Sequence, residues 1–275
     1  MRGRLKSWYA KARSGCRRLI PSAWRRGELG VGLFPEHLVI TRVGGWRRKL
    51  LEKEIIALPP APVDAPRWQP ALEALAGKVA AGDLAGADVT VVLSNHYVHY
   101  VLVPWSELLS SEEDQLAFAR QRFVRVHGSV AEGWLLRLGQ ASSRQARLAC
   151  GVEKALIDAL EAVLTPLGRR YRSLQPHFMA SFNLWRARLS EQPGWFVVAE
   201  PGRLCLALLQ DGQWQSVRSV KISADWPHEL STVLAREQYL VDSETECDHV
   251  LVFAPDLPDL EGMEKGKWQI ETLPA

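Results

Sequence analysis

The first candidate for chemistry is a glycine-bearing hairpin predicted in GELGVGLFPEHLVITRV, residues 27–43. Gly30 and Gly32 lie in its first strand, where a missing side chain lets the backbone approach a bound phosphate. The turn, however, begins at Phe34 and Pro35. Proline lacks a backbone N–H, and the bulky phenylalanine would keep a phosphate away from the strand. The hairpin therefore has the glycines of a phosphate-binding turn, but it lacks the backbone donor and the open space that phosphate requires.

Other reactive patterns in the sequence are weaker. Glu200 is a carboxylate in a turn and could hold magnesium through water, but it stands alone there. The segment GMEKGKW (262–268) has three residues between its glycines and Trp after the lysine, whereas a phosphate loop requires four and Ser or Thr. His96 and His99 are three residues apart and would point to opposite faces of a strand. With no GxSxG serine and no cysteine beside an identifiable base, the sequence predicts no metal site and no catalytic centre.

Composition indicates a globular protein of a reducing compartment. The chain has 275 residues, of which 47% are hydrophobic and 24% charged, enough for one large domain or two close ones. Its four cysteines are far apart and form no CxxC pair, which argues against a zinc knuckle or a disulfide framework. No apolar run approaches the roughly 18 residues that a spanning helix needs, and the first 25 residues lack the apolar centre of a signal peptide. We therefore expect a cytoplasmic location.

The charge is unevenly distributed along the chain. Residues 1–26 contain nine Lys or Arg and no acid, and the rest is mildly acidic. Apolar residues recur in this arm at helical spacing, so one stripe is apolar and the remainder cationic. The stripe includes Leu5, Trp8 and Tyr9, and the cationic face includes Arg13, Arg17 and Arg18. Such an arm could lie on an anionic membrane, bind nucleic acid or a partner, pack on its own domain, or remain a frayed tail.

Strand and helix patterns alternate after the arm. Strands are predicted at 38–43, 49–58, 89–93, 99–103, 134–138, 146–152, 171–174, 195–199, 204–209, 214–220 and 249–253. Helices are predicted at 71–81, from Ser110 or Ser111 to about Gly128, at 156–167, at 176–189, and from about Asp225 to Tyr239. The β-meander of the first half recurs near residue 195, which predicts a duplicated α/β fold with two halves.

The order of these segments resembles the PilM, GspL and MshI group of actin-like proteins, which belong to type IV pilus and type II secretion machines. Three segments carry the resemblance besides the two meanders: VLVPWSELLSSEEDQLAFARQRFVRVHG, LACGVEKALIDALEAVLTPLGRRYRSLQP and VLVFAPD. The resemblance implies an actin-like, ribonuclease H-like fold with two lobes. It divides the chain into the arm (1–26), a first lobe (27–190) with an inserted subdomain at about 98–152, and a shortened second lobe (191–275).

The nucleotide loops of that group are altered in this chain. Nucleotide-binding members are expected to carry an Asp and glycines in the first hairpin, Asp-x-Gly in the second, and a glycine-rich loop over the adenosine. The corresponding positions here are Gly30, Gly32, Phe34 and Pro35, then Glu200 and Gly202, then Ala254 and Asp256. The resemblance therefore implies a scaffold with a degenerate nucleotide site, no enzymatic activity, and no ATP, magnesium or other cofactor. An ATP-binding, weakly hydrolysing PilM-type protein is the alternative, and nucleic-acid binding through the arm is the third.

The resemblance also implies partners. A membrane protein that crosses the bilayer once would place a short cytoplasmic tail in a groove beside the inserted subdomain, and the assembly motor ATPase is a further possible partner. This would hold the chain at the cytoplasmic side of the inner membrane. The groove is expected to involve the 98–103 strand and the 112–126 helix, with Trp105 and Phe118 as anchors. The inner face of that helix is predicted to consist of Leu116, Ala119, Phe123 and Val126. Phe118 lies off this face, so it either binds a partner or packs under the neighbouring strand.

Overall fold

The computed structural model describes residues 28–44, 49–141, 144–223, 225–241, 247–255 and 266–274. They fall into two compact units, one made of residues up to 93 together with 158–175, the other of 94–157 together with residues from 176 onward. No helix among the described residues is long and apolar enough to span a membrane. The arm, with Leu5, Trp8, Tyr9, Arg13, Arg17 and Arg18, lies outside the described residues, as does Asp256.

Thirteen strands occur in the described ranges: β1 (Glu28–Leu33), β2 (His37–Gly44), β3 (Lys49–Ala57), β4 (Asp88–Leu93), β5 (Val98–Val103), β6 (Trp134–Leu138), β7 (Arg147–Glu153), β8 (Tyr171–Pro176), β9 (Gly194–Glu200), β10 (Arg203–Gln210), β11 (Gln213–Lys221), β12 (His249–Phe253) and β13 (Gln269–Leu273). The α-helices there are α1 (Gln69–Ala81), α2 (Glu112–His127), α3 (Lys154–Leu164), α4 (His177–Leu189) and α5 (Trp226–Leu240). Short 3-10 turns cover Glu107–Leu109, Ser129–Gly133 and Thr165–Arg170.

The first unit contains a mixed sheet in the order β3-β2-β1-β4-β8. Strands β1 and β2 form the predicted hairpin, and β1 pairs in parallel with β4 from Glu28↔Asp88 to Leu33↔Leu93. Alternate residues of β1 and β4 are buried, which gives the sheet one apolar face. The predicted apolar stripe of α3 is confirmed at Leu156, Leu160 and Leu164, which are all buried.

The second unit repeats this strand order as β11-β10-β9-β12-β13. Both faces of this sheet are covered, because alternate residues of β9 enter two separate apolar clusters. One cluster includes residues of α5, among them Trp226 and Leu230, and the other includes Phe178 and Leu189 of α4. Because both faces of the sheet are buried, the sequences of β9 and β10 are almost continuously apolar.

A three-stranded sheet in the order β5-β7-β6 completes the second unit. Helix α2 covers one face, and Ala119 and Phe123 are its buried residues. Helix α2 starts after Ser111, one of the two predicted start residues, and Ser111 forms a capping box with Asp114. The expectation that Val126 lies on the inner face of this helix is wrong: Val126 is 72% exposed, because the buried side of α2 extends only to Phe123.

Candidate functional site

Glu200 ends β9 and is the most buried acid of the second meander, with 2% of its surface exposed. Its Oε1 lies 2.6 Å from Nδ1 of His177 and accepts a hydrogen bond from the Asn95 backbone N–H at 2.9 Å. Its Oε2 accepts a short hydrogen bond from the Ser94 hydroxyl. The side chain of Glu200 therefore points into the protein, where three donors from two other chain segments surround it.

Asn95 connects this cluster to the start of α4. Its Oδ1 accepts hydrogen bonds from the Tyr100 hydroxyl at 2.8 Å and from the Phe178 backbone N–H at 3.0 Å. The second of these satisfies an N–H in the first turn of α4, whose own preceding residue, Pro176, provides no side-chain cap. A residue remote in sequence thus caps the helix, which ties α4 to the segment that follows β4.

The electrostatics of the cluster favour an ionised Glu200. Burial alone would raise the pKa of its carboxyl, but the hydrogen bond and charge of His177, with the donors of Asn95 and Ser94, hold the pKa below its ordinary value. Burial, with the nearby Glu200 charge, raises the pKa of Tyr97. The Tyr97 hydroxyl and the Asn95 Nδ2 have no hydrogen-bond partner within the described part of the chain. The cluster is therefore a buried carboxylate surrounded by hydrogen-bond donors.

The turn after Glu200 also contacts its surroundings. Gly202 has a φ of 75°, which a glycine adopts without strain, and its carbonyl accepts a hydrogen bond from Ile222. The His96 ring nitrogen Nε2 lies 2.9 Å from the Pro201 carbonyl. Both ends of the hairpin turn are thus held by protein groups.

The first hairpin shows what its glycines do. A Cβ on Gly32 would lie 2.7 Å from Cε2 of Phe34, so the absence of that atom makes room for the phenylalanine ring. Phe34 is 7% exposed and stacks on His37 with 4.7 Å between ring centroids. A Cβ on Gly30 would lie 2.5 Å from the Thr41 hydroxyl oxygen, which donates to the Gly30 carbonyl. These glycines accommodate side chains of their own hairpin, and Pro35 follows in the turn.

The remaining predicted residues are dispersed. Ala254 follows β12 and packs against the apolar cluster that includes Trp226. Trp105 is 46% exposed, with the Arg144 guanidinium 5.7 Å from its ring centroid. Phe118 is half-buried and packs against the cluster under α2, which agrees with the packing alternative. No group of three or more His, Cys, Asp or Glu side chains suited to a metal occurs among the described residues.

Sequence reasoning missed Ser94, Asn95 and His177, which complete the Glu200 cluster. One signal was available: Ser94 and Asn95 are polar residues directly after the buried strand VTVVL, at the carboxyl end of a strand in a parallel pair. Side chains at that edge of an α/β sheet often meet groups from elsewhere in the chain. Their partner, His177, carries no comparable signal in the sequence.

Comparison with solved structures shows the fold. The chain superposes on the cytoplasmic domain of EpsL, an inner-membrane component of the type II secretion system of Vibrio cholerae, with a TM-score of 0.58 and 16% identity over 90% of each chain. A PilM-PilN type IV pilus biogenesis complex matches with a TM-score of 0.60 and 16% identity, covering 90% of this chain and 88% of the other. A Bacteroides thetaiotaomicron protein with an actin-like ATPase fold matches with a TM-score of 0.61 and 10% identity, covering 93% and 94%. No protein-family model and no curated protein matches the sequence. The predicted α/β actin-like fold is thereby confirmed.

Proposed function

We propose that this chain is a non-catalytic actin-like adaptor at the cytoplasmic face of an inner-membrane assembly of the type IV pilus or type II secretion kind. It carries a degenerate nucleotide site, and it binds the short cytoplasmic tail of a membrane protein that crosses the bilayer once. The similarity in fold to EpsL and to PilM supports the kind of assembly. The occupied surroundings of Glu200 support the absence of catalysis.

One observation carries the non-catalytic part of the proposal. Glu200 is buried, and both of its carboxylate oxygens already accept hydrogen bonds from the protein. For this carboxylate to organise a hydrated magnesium ion, His177 or Ser94 would have to give up its bond. A buried polar group left unpaired costs about 1–3 kcal/mol. In the first hairpin, the Phe34 ring fills the space that Gly32 leaves open.

Isothermal titration with Mg-ATP and Mg-ADP tests this part directly. We expect no binding tighter than a Kd of about 1 mM, which corresponds to roughly −4 kcal/mol. The variant Glu200→Gln is the matched control, because it keeps the size of the side chain and removes its charge. Micromolar binding by the wild-type chain that Glu200→Gln abolishes would instead establish the alternative, an ATP-binding protein that uses Glu200 for its metal.

The adaptor part needs a partner test. A two-hybrid assay with the cytoplasmic tails of membrane proteins encoded beside this chain, and with the assembly motor ATPase as a second bait, should identify a tail that binds. A chain that binds none of these baits would not be an adaptor of this kind. The assay does not depend on nucleotide, so the two parts of the proposal are tested independently.

The basic arm adds a membrane contact to the proposal. Residues 1–26 carry the cations and aromatic residues expected of a segment that binds anionic lipid, each cation adding about 1 kcal/mol near the surface. Sedimentation with phosphatidylserine-containing vesicles should therefore decrease as salt is raised and should be abolished by deletion of residues 1–26. Retention on DNA without vesicle binding would support the nucleic-acid alternative instead.

A further inference from the structure

Among the described residues, no further strand pairs with the outer edge of β6 in the small sheet. Strand β7 is central in the order β5-β7-β6, and β5 on the far side lies close to β11. An open strand edge carries backbone N–H and C=O groups that can pair with another chain.

The register identifies which groups of β6 face outward. β6 pairs antiparallel with β7 from Trp134↔Glu153 to Leu138↔Ala149, and the Gly139 N–H donates to the Leu148 carbonyl just beyond the strand. In an antiparallel ladder, hydrogen-bonded and non-hydrogen-bonded pairs alternate. Leu135 and Arg137 therefore bond to β7, whereas the N–H and C=O of Leu136 and Leu138 point away from it. The Trp134 carbonyl also points outward, and it accepts hydrogen bonds from Arg120.

A groove lies beside this edge. Residues of α2 and of the turn before β6 line a concavity of about 580 Å³: Arg120, Gln121, Val124, Arg125 and Glu132. Arg120 joins the groove to the strand, because it lines the concavity while its guanidinium donates to the Trp134 carbonyl. An extended segment paired with β6 would thus place side chains of one face over the groove and those of the other face beside Leu135, which is 40% exposed.

The charges around the groove are mostly positive. Arg125 lines the groove, whereas Arg137 lies on the face of β6 turned away from it, since Leu136 and Leu138 on either side pack toward α2. Arg120 donates to backbone carbonyls, which carry no net charge to offset that of the guanidinium. Glu132 is the acid among the groove residues. A segment with acidic side chains would gain favourable contacts here, and a basic segment would be repelled.

We propose that the outer edge of β6, with the α2 groove beside it, binds an extended peptide of alternating acidic and apolar residues as a fourth strand. Main-chain hydrogen bonds to Leu136 and Leu138 hold the peptide, Arg120 and Arg125 of the groove attract its acidic side chains, and its apolar side chains lie on the opposite face beside Leu135. This inference rests on the proposed adaptor function and gives the chemistry of the tail that such an adaptor accepts.

Two fluorescein-labelled hexapeptides test the site, Asp-Val-Asp-Leu-Asp-Val and its lysine counterpart Lys-Val-Lys-Leu-Lys-Val. Fluorescence anisotropy up to 1 mM protein should show at least tenfold tighter binding of the acidic peptide, and the difference should narrow at high salt. In two-dimensional NMR spectra, the acidic peptide should shift the amide resonances of Leu136 and Leu138.

Two variants separate the strand edge from the charges. Leu136→Pro removes the outward N–H of residue 136 but removes no hydrogen bond to β7. Leu136→Ala is its control, because it also loses the leucine side chain but keeps the N–H. We expect at least a tenfold loss of affinity in Leu136→Pro and less than a threefold change in Leu136→Ala. Arg125→Glu should lower the affinity for the acidic peptide at least tenfold with an unchanged melting temperature.

Several results would overturn this inference: no binding up to 1 mM, equal binding of the two peptides, or full binding by Leu136→Pro. A dimer in sedimentation that Leu136→Pro alone abolishes would also overturn it, since the occupant would then be β6 of a second copy. If the peptides fail while a membrane-protein tail still binds in the two-hybrid assay, the adaptor function stands and its tail binds elsewhere.

Discussion

The Nδ1 atom of His177 lies 2.6 Å from Oε1 of Glu200, and this contact joins the first residue of α4 to the last residue of β9. The carboxylate also lies near the N-terminal end of α4, where the helix dipole favours a negative charge. It also accepts hydrogen bonds from Ser94 and Asn95, so one side chain unites three segments of the second unit. In this chain Glu200 serves to hold the fold together.

Replacement of Glu200 should therefore destabilise the protein in a pH-dependent way. Glu200→Gln keeps the volume but removes the charge, and we expect a loss of about 2–3 kcal/mol at pH 7. Because the pKa of the folded carboxyl is held below its ordinary value, its contribution is complete above an unfolded pKa of about 4.3 and is lost as pH falls through the folded value. Melting temperatures of both proteins at pH 7, 5, 4 and 3.5 measure this.

The difference between wild-type and variant melting temperatures should thus shrink in the most acidic samples. Glu229→Gln is a suitable control, since that carboxylate bonds the exposed Ser223 hydroxyl at the protein surface. It should change the melting temperature little at any pH. A wild-type advantage over Glu200→Gln that is the same at pH 3.5 and pH 7 would show that the charge of Glu200 does not stabilise the fold.

The contact between Gly32 and Phe34 predicts a coupled pair of substitutions. Phe34→Ala should cost about 3 kcal/mol, because a nearly buried ring is lost. Gly32→Ala should cost about 1–2 kcal/mol in the wild-type chain, since the new Cβ would lie 2.7 Å from the ring. In the Phe34→Ala background that clash is absent, and the next atom of the hairpin, Cβ of Val39, is at 3.6 Å. Chemical denaturation should show the double variant to be less destabilised than the sum of the single ones by about 1 kcal/mol.

Gly30→Ala is the matched control for this cycle. Its Cβ would meet the Thr41 hydroxyl oxygen, at 2.5 Å, whether or not Phe34 is present. Its cost should therefore add to that of Phe34→Ala. Strict additivity for Gly32 as well would mean that the ring does not depend on that glycine, and our account of the hairpin would be wrong.

Local patterns in the sequence predicted most of the elements, because burial produces periodicities that can be read directly. The opening hairpin, the start of α2 at Ser111 and the apolar face of α3 all follow from spacing and residue type. The strand β13 was missed. Its sequence, QIETL, is short and half polar, and its place in the sheet comes from parallel pairing with β12. Such long-range pairing leaves no local pattern.

The Glu200 cluster could be predicted only in part, for the same physical reason. Glu200 was identified from its place in a turn, whereas its donors Ser94 and Asn95 are about a hundred residues away in the sequence. The identity of Phe34 indicated an altered hairpin, but it did not reveal that the ring occupies the space beside Gly32. The residue types predicted that the first hairpin lacks the groups that bind phosphate, and the structure shows which side chain occupies the space instead.

The two aromatic residues expected to anchor a partner should differ in stability measurements. Phe118→Ala should destabilise the protein by about 1–2 kcal/mol, since the half-buried ring packs against the cluster under α2. Trp105→Ala should stay within about 0.5 kcal/mol, because nearly half of the indole is exposed. Urea denaturation of both variants measures this. An unchanged stability of Phe118→Ala would return Phe118 to the candidates for direct partner binding.

His99 should make the stability of the small sheet depend on pH. The His99 ring stacks on Trp134 with 4.1 Å between centroids and an angle of 8°, and His127 lies 4.5 Å away. Burial, then the neighbouring His127 and the Arg203 charge, lower the pKa of His99 to about 4. The unfolded chain, in which a histidine has a pKa near 6.5, therefore binds more protons between pH 6.5 and 4. Stability should be complete above pH 6.5 and should fall progressively toward pH 4.

His99→Phe separates this effect from other titrations, because phenylalanine keeps a flat ring against Trp134 but cannot be protonated. Burial and the Arg203 charge also lower the pKa of His127, so His127→Phe is the parallel variant. Because His127 is exposed, this variant should remove a smaller part of the pH dependence than His99→Phe. Melting temperatures at pH 7.5, 6.5, 5.5 and 4.5 should fall less steeply for His99→Phe than for the wild-type chain. The pH range in which protonation of His99 lowers the stability lies above the range in which protonation of Glu200 does so. The contributions of the two residues to the pH dependence can therefore be distinguished. Parallel curves for wild type and His99→Phe would show that the folded protein accommodates a protonated His99, and that its stacking on Trp134 does not exclude the charge.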